Sequence, residues 1–383
     1  MEPSLRFSVA TDQGERALED GFADEPLPGA DAGDRPPTYG QYLSWLGRCL
    51  TGGNLPRLAS AAGRALGSPV RAGEIGALDL VAEKHGAWYH PAQVRVHTGQ
   101  GCAVLCANAA LGREASLQAL REHEVLGELA RTRSQALIPD SFGVLREPFR
   151  DEDAAVLLCQ YFPGFYEFHL RKDGAAPPRM CLWDTDSGPR SLSPGEEEAV
   201  YFESARILAY YYDPATCREI HPWHHAAGDF IFSPGPEQPR LRLITVRGFS
   251  PVFTPPEDAG PSGPLLGLLF LLTSTSLRAR LDRDNGTGEL MAAGPASVPP
   301  TVRGFFTGLA QACAEQDTDA LARAFGKLCI GIGENGLRGI CEAVAGSVRP
   351  DSPDAPVLSD LAPEHAQSLA AALSTSAAGA FWG

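Results

Sequence analysis

Between Ile220 and Phe232 the sequence reads IHPWHHAAGDFIF, which places His221, Trp223, His224, His225 and Asp229 within thirteen residues. Imidazole and carboxylate together suit two kinds of chemistry. They can hold a divalent ion, or they can move a proton near neutral pH. On a helix His221 and His225 would share a face, as would His225 and Asp229, and a transition metal could use Asp229 with His221. Pro222 and the small AAG run argue against a continuous helix. A plainer reading has Trp223 packed in a core while the histidines bond loop carbonyls. Arg247, in LITVRGF, follows a strand-like run, where it could pair with Asp229 as a fixed cation, grip a phosphate bidentately or face solvent.

These residues need a frame. The 383-residue chain is 44% hydrophobic, enough for two domains or one two-lobed unit, and carries a formal charge of -15. That charge repels phosphate backbones and anionic membranes, so neither nucleic acid nor membrane is expected as a partner. Nine cysteines without a CxxC pair fit reduced thiols. With no export-like apolar run near the start, they point to a cytoplasmic protein, and the Ala-, Arg-, Gly- and Pro-rich usage fits a bacterial one. GPLLGLLFLLTSTSL, residues 263–277, is too short and too hydroxylated for a bilayer and reads as a core helix.

Along the chain, residues 1–38 are rich in acid, Gly and Pro and are expected to form a flexible arm. Residues 39–75 carry helical spacing on both sides of a GGN break. From 76 to 163 the pattern is β-rich: AQVRVH, a Gly turn and CAVLCA, then a helix over 115–130, then IPDSFGVLREPF and AAVLLCQYF as two more strands. Residues 164–383 read as mainly helical, opened by SPGEE, in which Ser193, Pro194 and Glu196 have the placement of a helix start. The acids of WDTDSG, Asp184 and Asp186, read as a turn. GIGENG reads as a helix break, and the charges of SLRARLDRDNGTGE as a solvated helix end.

This order resembles the protein-kinase-like and aminoglycoside-phosphotransferase-like fold. EHEVLGEL resembles the segment that carries the family's helix glutamate, which puts Glu122 there, and IHPWHHAAGDFIF resembles the catalytic loop. The resemblance implies an α+β chain with a small antiparallel β lobe, one main helix and a larger helical lobe. It implies ATP with Mg²⁺ in the cleft, Asp229 on the cation, His224 or His225 as base, and Arg247 on developing charge. Glu122 would position the phosphate-side cation, with Asn108 as a further cofactor contact and Lys84, one strand earlier, as a substitute for the strand lysine from another direction. The departures are substantial. The second metal-binding acid is replaced by Thr245 or Val246, the strand lysine by Cys106 or Asn108, and the glycine-rich loop by GAWYHPAQV, with a single Gly. The resemblance therefore implies a pseudokinase or an atypical nucleotide-dependent transferase. The alternatives are a non-catalytic scaffold that binds a protein, peptide or small molecule, and a His/Asp metal enzyme.

Overall fold

The computed structural model describes residues 2–11, 14–30, 36–86, 88–174, 177–184, 188–235 and 240–378. The chain is α+β and divides into two compact units, Met1–Arg131 with Pro139–Gly164, and Thr132–Ile138 with Phe165–Gly383.

The first unit is built on a seven-stranded sheet. Its strands are β1 (Ser4–Thr11), β2 (Gly14–Ala17), β3 (Ile75–Ala82), β4 (His90–Thr98), β5 (Gly101–Leu111), β6 (Ser141–Arg146) and β7 (Ala154–Gln160), in the order β2-β1-β3-β4-β5-β7-β6. Every pairing is antiparallel except β1 with β3, which run parallel. Alternation along β4 and β5 does what period two requires: Val94, Val96, Leu105, Ala107 and Ala109 point to one buried face. That face is covered by helices α1 (Tyr39–Thr51) and α2 (Leu55–Leu66), through Tyr42, Leu43, Trp45, Leu46 and Leu58. Helix α1 opens on a capping box in which the Thr38 side chain and Gln41 satisfy each other's backbone N–H groups. The third helix of the unit, α3 (Arg113–Thr132), carries Glu122.

The expectation of a flexible arm over residues 1–38 is corrected here. β1 takes six residues of register against β3, Leu18 and Leu27 are buried, and Phe22 and Ala23 pack on the same core. Backbone bonds Leu27 N to Pro37 O and Tyr39 N to Glu25 O close the loop on itself. A few apolar anchors and a free sheet edge outweigh the acidic, Pro-rich composition. Residues 31–35 lie outside the described residues.

In the second unit a small sheet of β8 (Phe168–Arg171), β9 (Arg179–Leu182) and β10 (Arg190–Ser191) precedes helix α4 (Pro194–Tyr211). The start of α4 is the one its sequence announces: Ser193 Oγ accepts from Glu196 N, and the Glu196 carboxylate accepts from Ser193 N. At the other end Arg133 donates to the carbonyls of Tyr210 and Tyr212, placing a cation where the helix dipole favours one. Next come β11 (Arg218–Ile220), β12 (Phe230–Ser233), β13 (Arg240–Leu243) and β14 (Phe249–Pro251), which pair as β11 with β14 and β12 with β13. The remainder is helical apart from one hairpin. Its elements are α5 (Gly263–Arg278), β15 (Leu281–Arg283), β16 (Leu290–Ala292), α6 (Val298–Glu315), α7 (Asp319–Gly331), α8 (Gly333–Gly346) and α9 (Asp354–Ala378).

Helix α5 is the apolar run 263–277, and it buries its hydroxyls by bonding them locally, as Thr273 Oγ1 does to Leu269 O. Among the described residues no helix is long and apolar enough to cross a membrane. GIGENG breaks the chain between α7 and α8, with Gly333 at φ 65°. Helices α4 and α6 touch at backbone distance: a Cβ on Gly304 would lie 1.9 Å from Phe202 O, and one on Gly308 2.1 Å from Arg206 O. Both positions must therefore be glycine for this contact.

Candidate functional site

The HPWHH stretch is not a helix. His221 to His224 form an irregular loop, a single 3-10 turn covers His225–Ala227, and Gly228 at φ 66° turns the chain into β12. The left-handed backbone there favours glycine, and a Cβ on Gly228 would lie 2.8 Å from Glu167 Oε1, so the Glu167 carboxylate would have to move aside. The turn places Asp229 at its end with no exposed side-chain surface.

Asp229 is fully engaged. Arg247 donates to Oδ2 at 2.5 Å and to Oδ1 at 2.6 Å, and the backbone N–H of His224 donates to Oδ2 at 2.8 Å. Of the three roles its sequence left open, Arg247 therefore takes the pairing with Asp229. Burial pushes the Asp229 carboxyl upward, while the Arg247 guanidinium and the His224 N–H pull against it. A guanidinium that spans both oxygens leaves the carboxylate no free edge for a cation. Thr245 and Val246, where a second metal-binding acid would stand, supply none. Among the described residues no group of three or more His, Cys, Asp or Glu could hold a metal ion. The residues at this position do not fit Mg²⁺ or a transition metal.

The histidines have separate roles. His225 is buried, its ring packs against Phe168, Trp223 and Phe230, and neither nitrogen has a hydrogen bond. Burial drives it down to about 4, so it is a neutral core residue. His224 accepts from Ala226 N through Nδ1 and caps the 3-10 turn, and its Nε2 lies 3.7 Å from Asp354 Oδ2. Burial lowers His224 too, against the pull of Asp354, Asp282 and Asp229. His221 donates its backbone N–H to Gly248 O and is held at about 4 by burial and by Arg278.

A second buried polar group lies where the sequence pointed to a solvated helix end. Asp282, on β15, is 1% exposed and accepts from Leu170 N at 2.7 Å and from Arg283 N at 2.7 Å; its Oδ1 lies 3.3 Å from His169 Nδ1. His169 is itself 1% exposed, with Glu167 at 3.5 Å on its other nitrogen. Burial lowers His169, but Asp282 and Glu167 outweigh it and carry the ring to about 9, so it is an imidazolium at neutral pH. DRDNGTGE thus belongs to a hairpin docked by its first acid, and Asp284 accepts from Lys172 N. Only the D-x-D-N-G turn signature could have revealed it. Of the WDTDSG acids, Asp184 accepts from Gly188 N through its carbonyl, and Asp186 lies outside the described residues.

Glu122, Lys84 and Asn108 all lie in the first unit. Glu122 is 1% exposed and accepts from the Tyr89 hydroxyl at 2.7 Å, so a tyrosine from the loop before β4 meets this carboxylate. Lys84 is exposed on that loop. Asn108, on β5, accepts from the Cys106 thiol at 3.4 Å.

No family model matches the sequence, and neither does any curated protein. Among solved structures the chain is similar to the PAN3 pseudokinase of Drosophila melanogaster, at 13% identity and a TM-score of 0.28 over 70% of this chain and 74% of that one.

Proposed function

We propose that this is a degenerate kinase-like protein that acts by binding a partner and not by phosphoryl transfer. The order of elements supports the kinase-like reading: a β-rich unit with Glu122 on its helix, then a helical unit whose loop and strand pair carry Asp229 and Arg247. One observation carries the non-catalytic reading. Arg247 closes over Asp229, so a protein side chain supplies the positive charge that a phosphotransferase takes from a metal ion. The histidines do not rescue catalysis, since His225 is sealed in an aromatic core and His224 caps a turn.

The partner is a protein, a peptide or a small molecule recognised elsewhere on the surface. The competing reading, a nucleotide-dependent transferase using ATP and Mg²⁺, makes an opposite prediction. Thermal denaturation of EDTA-treated protein with ATP and Mg²⁺ distinguishes the two. A nucleotide at one hundred times its dissociation constant would add about 2.7 kcal/mol and move the midpoint by a few degrees. We expect no shift with the pair beyond that with either alone, and a shift that needs both overturns the proposal.

A further inference from the structure

Strand alternation gives the seven-stranded sheet a second face, opposite the one that α1 and α2 cover. Gln93 on β4 is the register partner of Cys106 on β5, Cys106 is that of Cys159 on β7, and Cys159 also faces Ser141 on β6, so these side chains form a row across the second face. Asn108 is the next residue of β5 to point the same way, and Gln93, Cys106 and Asn108 are half-buried. Helix α3 lies on this side, because its His123 Nδ1 is 2.7 Å from Ser141 Oγ. The connection from β3 to β4 is tied down over the row at both ends. Where it leaves β3, Glu83 Oε1 accepts at 3.3 Å from the hydroxyl of Tyr161, just beyond β7. Where it enters β4, the Tyr89 hydroxyl donates at 2.7 Å to Glu122 Oε2 on α3. Since β5 lies between β4 and β7 in the sheet, both bonds reach over it. Between the two ties Lys84, His85, Gly86 and Trp88 are exposed, Gly86 N–H donates to Tyr89 O, and the His85 ring rests on Gly29, where a Cβ would lie 2.3 Å from its Cδ2. None of these contacts involves Ala87, which lies outside the described residues.

We propose that the β3–β4 connection is a lid over this face, latched by the Tyr89–Glu122 and Tyr161–Glu83 bonds, and that Gln93, Cys106 and Asn108 are reached only when both bonds open. Each latch is a hydroxyl on a carboxylate, an interaction whose removal shifts a local opening equilibrium by roughly tenfold or more. A loop fixed as part of the core would instead be held by buried apolar side chains, as β4 is by Val94 and Val96. Here the stretch between the latches faces solvent, so it can swing away without disturbing the sheet beneath it. The consequence for ligands, unlike the lid, rests on the kinase-like reading above: Glu122 stands on the phosphate side there, so the closed lid takes the place of a nucleotide.

The Cys106 thiol reports the lid, because it sits in the covered row. Full-length protein, with neither nucleotide nor metal ion, is alkylated with iodoacetamide at pH 8.5, and the rate at each cysteine is read by peptide mass spectrometry. Tyr89→Phe and Tyr161→Phe should each speed labelling of Cys106 about tenfold, and the double variant should exceed either. Cys49 and Cys341, buried in the cores of the two units, should keep their wild-type rates. Glu122→Gln keeps an acceptor for the Tyr89 hydroxyl and should stay within about threefold of wild type. An unchanged Cys106 rate in the double variant overturns the proposal. So does a rise matched at Cys49 and Cys341, which would mark unfolding of the whole chain and not the opening of a lid. Asp229 and Arg247 take no part in this measurement, so failure of the lid is distinguishable from failure of the non-catalytic reading.

Discussion

Replacing Arg247 with Met removes the guanidinium and keeps the length of the side chain, leaving the Asp229 carboxylate buried without its cation. The loss can be worked from the contacts. Two charge-assisted hydrogen bonds, at 2.5 and 2.6 Å, disappear and one backbone bond at 2.8 Å remains. At about 1.5–3 kcal/mol each they amount to about 3–6 kcal/mol, which overlaps the ~3–5 kcal/mol measured for stranding one partner of a buried pair. Protonation sets a ceiling: neutralising an ordinary aspartate at pH 7 costs about 4 kcal/mol, after which the acid can stay buried uncharged. The expected loss at pH 7 is therefore about 3–4 kcal/mol. In the variant the folded-state acid titrates well above its unfolded value, so its stability is present at low pH and lost as pH rises through the raised value. The gap to wild type should narrow by pH 5. Urea denaturation of wild type, Arg247→Met, Asp229→Asn and the double variant at both pH values measures this. The double variant should recover at least about 2 kcal/mol relative to the sum of the singles. A loss below about 1 kcal/mol at pH 7, or strict additivity, would show that the pair does not hold this loop.

Other outcomes follow from the buried histidines, the contact of α4 with α6, and the thiols. His169 titrates near 9, above the ordinary ~6.5, so its contribution is complete below about pH 6.5 and is lost as pH rises through 9. Wild type should lose about 3 kcal/mol more than His169→Asn between pH 6.5 and 9.5 in urea melts. His90, His221 and His225, held near 4 chiefly by burial, have the opposite sign: their contribution is present above about 6.5 and lost as pH falls through 4, an acid limb that His225→Phe should soften. Gly304→Ala and Gly308→Ala force α4 and α6 apart and should each cost about 3 kcal/mol in the same assay, with no effect expected if the helices can slide. In a thiol titration of native protein Cys102, the exposed cysteine, should react first, while Cys49, Cys329 and Cys341, pushed up to about 12 by burial, wait for unfolding.

Much of the frame could be read from local sequence. An alternating run marked β4, apolar runs marked β5 and β7, SPGEE marked the capping box of α4, and a hydroxyl-bearing apolar run marked α5. What escaped was non-local. β1 pairs in parallel with β3 across some seventy residues, a contact for which an acidic, Pro-rich composition gives no sign. His169 and Asp282 are 113 residues apart, and a charge run beside an apolar helix looks the same whether it is solvated or docked. The site divides in the same way. Asp229 and Arg247 could be paired on paper because they flank one short strand pair, whereas nothing beside His225 in the sequence tells that its ring is sealed against Phe168, fifty-seven residues earlier.

The central claim, that a side-chain cation occupies the place of a metal ion at Asp229, is tested most directly with Mn²⁺. Its free-ion paramagnetic resonance signal disappears on binding, so wild-type protein, freed of metal and titrated with Mn²⁺ in the presence of ATP, reports any cation held there. The account predicts the same free and nucleotide-bound Mn²⁺ as in a protein-free control. A protein-dependent loss of signal that Asp229→Asn abolishes would contradict it.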